Sequence, residues 1–184
     1  MKRIFQLAMP LAATIFMTSC GSNNGEHNHE KEAGNHEGHE ASAQATETGK
    51  ASIKDDKLNA VYQQYAQLTT ALIDGDAAKA KIASNAIEAG IKDVPGGENI
   101  AASAAKITTA GDIEAQREAY STLSNELIAL VKKSGVTGGE LYVDYCPMAL
   151  DDKGGYWLSS IKEIRNPYFG DKMMNCGEVK ETLK

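Results

Sequence analysis

Residues 55–74 read DDKLNAVYQQYAQLTTALID, and this stretch decides the class of the fold. Its apolar side chains recur at spacings of three and four, so a helix would place them on one face. They are Leu58, Val61, Tyr62, Tyr65, Leu68, Leu72 and Ile73. The stripe stops at residues 74–76, an Asp-Gly-Asp sequence that favours a turn. The stretch therefore predicts an amphipathic helix that buries one face against other elements.

Three more segments of the same kind follow along the chain. The second begins at Asp76 as N-cap and runs to about Ile91, and the third, weaker one covers about residues 98–108. The fourth starts at Asp112 and ends where Gly135 fits a C-cap. Four amphipathic helices with short connections predict a mainly α protein built as an antiparallel four-helix bundle.

The pattern changes from helical to alternating after residue 139. Residues 141–145 and 156–158 are typical of strands, and the segment 151–155 between them is typical of a turn. Asp171 can begin a single helical turn that ends at Cys176. We therefore expect a small C-terminal β-hairpin and loop region that caps the bundle.

The N-terminus has the three parts of a signal peptide. Lys2 and Arg3 precede an apolar run over residues 4–16, and small residues lead to Cys20. The run is too short to cross a hydrocarbon core of about 30 Å, which disfavours a retained transmembrane helix. The sequence before Cys20 resembles the lipobox of bacterial lipoproteins, which implies removal of residues 1–19 and lipid attachment to Cys20. An ordinary secretory peptide with an incidental cysteine is the alternative.

All four histidines of the chain lie in residues 20–52, which we predict to be a disordered tether between the lipid and a domain at residues 53–184. They are His27, His29, His36 and His39. Imidazoles at such short spacings can wrap around Cu(II) or Zn. The alternative is a solvated acidic linker that merely contains histidine.

The charge of the chain argues against two classes of partner. The formal net charge is −6, and it becomes −8 without residues 1–19, which contain Lys2 and Arg3 but no acid. An acidic surface disfavours nucleic acid and anionic lipid headgroups. We therefore expect no nucleic-acid partner and attachment to the membrane only through Cys20.

Sulfur ligands are concentrated in the region 141–177. If residues 146–148 are extended, Cys146 and Met148 share a side, and if residues 171–176 form a helical turn, Met173 and Cys176 share a face. Two thiolates and two thioethers favour a soft ion such as Cu(I) or Ag(I), while Zn can bind through the cysteines.

A disulfide is the alternative to a metal at the same cysteines. Cys146 and Cys176 can pair in an oxidising compartment, with the methionines and Trp157 as ordinary core. Spacing alone leaves both hypotheses open. Catalysis has little support, because residues 53–184 contain no histidine to activate a nucleophile and the chain has no phosphate-binding glycine loop. We expect that the protein is not an enzyme.

Four short motifs together resemble the family catalogued as domain of unknown function 3347. They are YCPMA at 145–149, YWL at 156–158, IRNPYFG at 164–170 and MMNCG at 173–177. The resemblance extends from Asp55 to the end of the chain. Members of the family occur as envelope lipoproteins and as extensions of the periplasmic adaptors of copper and silver efflux pumps.

The resemblance implies a heavy-metal resistance protein. Carried over by position, the candidate ligands are Cys146, Met148, Met173 and Cys176, with Met174 as an additional thioether. The expected function is metal binding on the periplasmic side of the outer membrane for sequestration, transfer or efflux of copper, with Cu(I) at the core site and Cu(II) or Zn at the histidines. A heavy-metal efflux complex is the expected partner. The alternative is a module that docks on an efflux adaptor or another envelope partner without metal and with Cys146 and Cys176 bridged.

Overall fold

The computed structural model of the protein describes residues 51–184. The signal peptide, the lipid-bearing Cys20 and the histidine segment predicted from the sequence lie outside these residues. Within the described part the chain is mainly helical, with small antiparallel sheets toward the C-terminus. No helix in residues 51–184 is both long enough and apolar enough to span a bilayer.

The four helices predicted from the apolar spacing are all present, each within a residue or two of the expected bounds. They are α1 (Asp56–Ile73), α2 (Ala77–Ile91), α3 (Glu98–Thr109) and α4 (Ile113–Ser134). Each helix packs against the next along the chain, and α4 also contacts α1. Their inward faces form the core predicted from the stripe of α1.

Aspartate caps fix where three of these helices begin. Asp55, Asp76 and Asp112 each accept a hydrogen bond from the backbone N–H three residues later, at 2.8–2.9 Å. Such a cap satisfies a donor that the first helical turn leaves unpaired. Gly135 ends α4 with a φ of 88°, a conformation that costs glycine little.

Five short strands complete the fold. They are β1 (Ser52–Ile53), β2 (Val136–Gly138), β3 (Leu141–Cys146), β4 (Gly155–Ser159) and β5 (Glu178–Leu183). The β3–β4 pair is the predicted hairpin. The sequence did not predict the β1–β2 pair or β5. Pairing with β5 makes β3 the central strand of an antiparallel sheet ordered β4-β3-β5.

A buried hydrogen-bond network joins the helices to this sheet. The Tyr65 hydroxyl of α1 lies 2.7 Å from Ser124 Oγ and 2.7 Å from the Tyr120 hydroxyl, both on α4. It also accepts the backbone N–H of Leu158 in β4 at 2.9 Å. Because buried hydroxyls are costly without partners, this network fixes the sheet on the helical core.

The connection between β3 and β4 is a left-handed helical turn over residues 149–152. Leu150, Asp151 and Asp152 have φ values of 57°, 57° and 61°. Aspartate tolerates this conformation better than most residues, whereas leucine does not. This turn starts earlier than the segment 151–155 that the sequence predicted. Positive φ values leave no periodic pattern in the sequence, so the earlier start could not be predicted.

Candidate functional site

The two cysteines of the folded domain meet at one end of the sheet. Cys146 is the last residue of β3 and is buried, and Cys176 is partly buried just before β5. The side chains are two free thiols whose Sγ atoms lie 2.6 Å apart. Two cysteines that are thirty positions apart in the sequence are therefore in direct contact in the folded domain.

The sheet holds Cys146. Its strand lies between β4 and β5, and Cys146 pairs in register with Gly155 of β4. A Cβ atom at Gly155 would lie 2.5 Å from the ring of Tyr168. Because Gly155 has no side chain, the Tyr168 ring can pack against this end of the sheet.

Asn166 holds the segment of Cys176. Its Nδ2 donates to the carbonyl of Cys176 at 2.7 Å, and its backbone N–H donates to the carbonyl of Met174 at 2.8 Å. Its Oδ1 accepts the backbone N–H of Tyr168 at 2.8 Å. Asn166 is fully buried, so its side chain is shielded from water while it makes these bonds. The asparagine of the IRNPYFG motif is therefore a structural clamp for the cysteine.

Arg117 of α4 ties the same segment to the helices. Its Nε donates to the carbonyl of Pro167 and its Nη2 to the carbonyl of Leu72, each at 2.9 Å. Its Nη1 pairs with Glu114 at 3.0 Å. Because the guanidinium is almost completely buried, these carbonyls and the carboxylate are the partners that compensate its charge.

Trp157 packs beside the cysteine segment as part of the core. Gly177 has a φ of +142°, and a Cβ atom there would lie 2.8 Å from the Trp157 ring. The ring is buried and meets Tyr168 edge to face at a centroid distance of 6.1 Å. These contacts account for the tryptophan of the YWL motif and the glycine of MMNCG by packing alone.

The extended arrangement expected for residues 146–148 is wrong at Met148. The strand ends at Cys146, and Met148 has φ −86° and ψ −6°, close to helical values. While Cys146 is buried, the Met148 side chain is 49% exposed. The cause is the left-handed turn that follows, which redirects the chain as soon as β3 ends.

The helical turn expected over residues 171–176 is present only in its first part. A 3-10 helix covers Gly170–Lys172, and Met173 leaves it with φ −151° and ψ 57°. A turn then closes with a bond from the Cys176 N–H to the Met173 carbonyl at 3.1 Å. Met173 and Met174 are half-buried.

The donor atoms suit a soft metal, but their present spacing does not. Two thiolates bound to one tetrahedral Zn at about 2.3 Å are roughly 3.8 Å apart, so sulfurs 2.6 Å apart leave no room for an ion. Residues 51–184 contain no group of three or more His, Cys, Asp and Glu side chains able to hold a metal. A metal at this pair would therefore require the thiols to separate and methionine thioethers to join them.

The contact between the two cysteines raises the pKa of Cys176. A hydrogen bond to Cys146, burial and the charge of the Cys146 thiolate together raise the pKa of Cys176 to about 11. Cys176 is therefore protonated at neutral pH in this arrangement. Since metals bind thiolates, loading the pair with an ion must release protons.

Asp144 is a buried acidic residue near the cysteines that was not predicted from the sequence. It lies in β3, two positions before Cys146, and is fully buried opposite Trp157 of β4. Neither carboxylate oxygen has a hydrogen-bond partner within residues 51–184, and burial raises the pKa of Asp144 to about 7. The available signal was an acidic residue inside an apolar alternating strand.

Together these features define a class of protein: a helical domain followed by a small antiparallel sheet that holds two thiols in contact. The model of a family described as Protein of unknown function (DUF3347) matches residues 61–139, and this is the family that the sequence motifs resemble. The match covers most of the four helices and stops before the region 141–177 that contains the cysteines and methionines. No match was found among curated proteins or among solved structures.

Proposed function

We propose that this protein is an envelope lipoprotein that binds soft heavy-metal ions, above all copper as Cu(I) or silver, for sequestration, transfer or efflux. The observation that carries the proposal is that the fold brings the thiols of Cys146 and Cys176, thirty positions apart in the sequence, to one end of the sheet. Met148 follows the first cysteine by two positions, and Met173 precedes the second by three. Such a set of sulfur donors favours soft monovalent ions.

The ion is cargo that opens the thiol pair. Both cysteines lose their protons, and the sulfurs move apart by roughly 1 Å or more to reach metal–thiolate geometry. Cys146 is fixed in the central strand and Asn166 holds the Cys176 carbonyl, so rotation of the partly exposed Cys176 side chain supplies the movement. Met148 is half exposed, so its thioether can reorient without disturbing the core.

The N-terminal features complete the proposal. After removal of residues 1–19, lipid on Cys20 anchors the protein at the periplasmic side of the outer membrane. The histidine segment collects Cu(II) or Zn near the membrane, and an antiparallel four-helix bundle supports the sulfur site. A heavy-metal efflux complex is the proposed recipient.

Titration of the reduced chain with Cu(I) tests the proposal. Full-length protein with Cys20→Ser, which removes the only thiol outside the pair, is reduced without oxygen and titrated against a competing chelator. We expect one tightly held Cu(I) per chain. Replacing either Cys146 or Cys176 by serine should weaken binding by roughly tenfold or more, because one thiolate ligand is lost. Equal affinity in all these variants would contradict the proposal.

The short sulfur separation favours a second candidate function. Here Cys146 and Cys176 form a structural disulfide, and the domain docks on an efflux adaptor or another envelope partner without metal. Thiol counting on protein purified without oxygen distinguishes the two. Two cysteines that react only after reduction, combined with no Cu(I) uptake by the reduced chain, would support docking and exclude the soft-metal site.

A further inference from the structure

We propose that Cys146 and Cys176 form a thiol–disulfide exchange site that a dithiol protein reduces by attack at Cys176. The inference deepens the proposed function, on which it rests, because only the reduced pair offers thiolates to a metal. Its structural basis is the contact between two free thiols, of which Cys146 is buried and Cys176 is partly exposed.

Contacts other than a sulfur–sulfur bond hold the pair together. Cys146 is fixed by the ladder of β3 with β4, and the carbonyl of Cys176 is fixed by Asn166 at 2.7 Å. The thiols therefore stay adjacent when the bond is absent. A pair preorganised in this way closes and opens without refolding of the domain, which makes exchange reversible.

Access to the two sulfurs is unequal. Cys146 is fully buried at the end of the central strand, whereas Cys176 is partly exposed in a turn. An attacking thiolate approaches in line with the bond that it breaks, from the side opposite the leaving sulfur. Attack on Cys146 would require approach through the core, while attack on Cys176 can come from solvent.

The exchange conserves atoms and electrons. A partner thiolate bonds to Cys176 Sγ, the bond between Cys176 and Cys146 breaks, and Cys146 leaves as a thiolate that takes up a proton. The second partner thiolate then attacks its own neighbour in the mixed disulfide and releases Cys176. Two electrons pass from the partner to the pair, and the partner ends as a disulfide.

A partner with two neighbouring thiols fits this chemistry. A single thiol would leave a mixed disulfide on Cys176 until a second molecule arrived, whereas a dithiol completes reduction within one encounter. The pair then controls metal binding: the disulfide form has no thiolate ligand, and reduction creates both.

Mapping the first mixed disulfide tests the inference. Oxidised full-length protein with Cys20→Ser is exposed briefly to excess glutathione, quenched with acid, unfolded, alkylated and analysed by peptide mass. We expect glutathione on Cys176 and alkylation on Cys146, with at least roughly tenfold preference. The same protein unfolded in guanidinium is the control and should show nearly equal labelling.

Three outcomes would overturn the inference: labelling mainly at Cys146, equal labelling in the native protein, or a native pair that neither oxidises nor reacts. A Cu(I) titration of the fully reduced sample separates this result from the proposed function. Loss of the preference with Cu(I) uptake intact overturns only the exchange site. Preference for Cys176 without Cu(I) uptake overturns the metal proposal and leaves an exchange site of another role.

Discussion

At the residue scale, the residues of the four family motifs divide into two groups. Asn166, Tyr168 and Gly177 have structural contacts that position the cysteine segment. Cys146 is buried in the core, Cys176 is partly buried against it, and Met148 is half exposed. The structural group explains why the motif residues occur together, and the sulfur group is where we expect the proposed metal binding.

Replacing Asn166 tests the clamp. Asn166→Ala removes the bonds to the Cys176 carbonyl and the Tyr168 N–H, leaving buried polar groups unpaired. We expect the free energy of unfolding to fall by roughly 2–4 kcal/mol in urea denaturation. Asn175→Ala, at an exposed asparagine in the same turn, is the control and should change it by less than about 0.5 kcal/mol. Equal effects of the two variants would show that the clamp is not stabilising.

Asp144 predicts a pH dependence of stability. Its pKa is about 7 in the folded protein and close to 3.8 when exposed, so between these values the folded state holds a proton that the unfolded state has released. Stability from this group is complete below about pH 4 and is lost as the pH rises through 7, by roughly 2–4 kcal/mol in total.

Urea denaturation at several pH values measures this effect. Asp144→Asn should remove the decline in stability between about pH 4 and pH 7, whereas Asp152→Asn, at an exposed acid, should retain it. The same decline in wild type and Asp144→Asn would assign it to another group.

At the element scale, the sequence predicts what local periodicity and caps determine. The helices followed from the apolar spacing and from aspartates such as Asp76 and Asp112, because both signals act within a few residues. Strand β5 could not be predicted in this way, since its residues are mostly exposed and its place depends on pairing with β3. Contact between Cys146 and Cys176 likewise depends on distant groups, chiefly Asn166.

Arg117 gives a test of how the helices hold the site. Arg117→Leu leaves the carbonyls of Pro167 and Leu72 without their donor, so we expect a loss of roughly 2–4 kcal/mol in the free energy of unfolding. Arg165→Leu, at an exposed arginine of the IRNPYFG motif, is the control. An equal loss in both variants would mean that the buried position of Arg117 does not matter.

At the scale of the whole molecule, closing the disulfide should stabilise the fold. The bond would enclose the chain between Cys146 and Cys176, which reduces the entropy of the unfolded state and contributes about 3–4 kcal/mol on the chain-entropy model. Oxidised and reduced protein compared in urea should differ by this amount. The double variant Cys146→Ser with Cys176→Ser should show no difference between the two conditions.

The histidine segment should bind a different class of ion from the cysteine pair. Replacing His27, His29, His36 and His39 by alanine should weaken Cu(II) or Zn binding and leave Cu(I) binding intact, because imidazole and thiolate differ in softness. Calorimetric titration with each ion checks this. Loss of both Cu(II) or Zn binding and Cu(I) binding in this variant would contradict the proposal of two independent sites.

X-ray absorption at the copper edge shows directly whether the two cysteines hold Cu(I). Full-length protein with Cys20→Ser and without the four histidines is reduced and loaded with one equivalent of Cu(I). We expect the atoms bound to copper to be sulfur alone, and we expect this signal to be lost when Cys146 and Cys176 are both replaced by serine. A first shell of nitrogen or oxygen, or the same spectrum with and without the two cysteines, would contradict it.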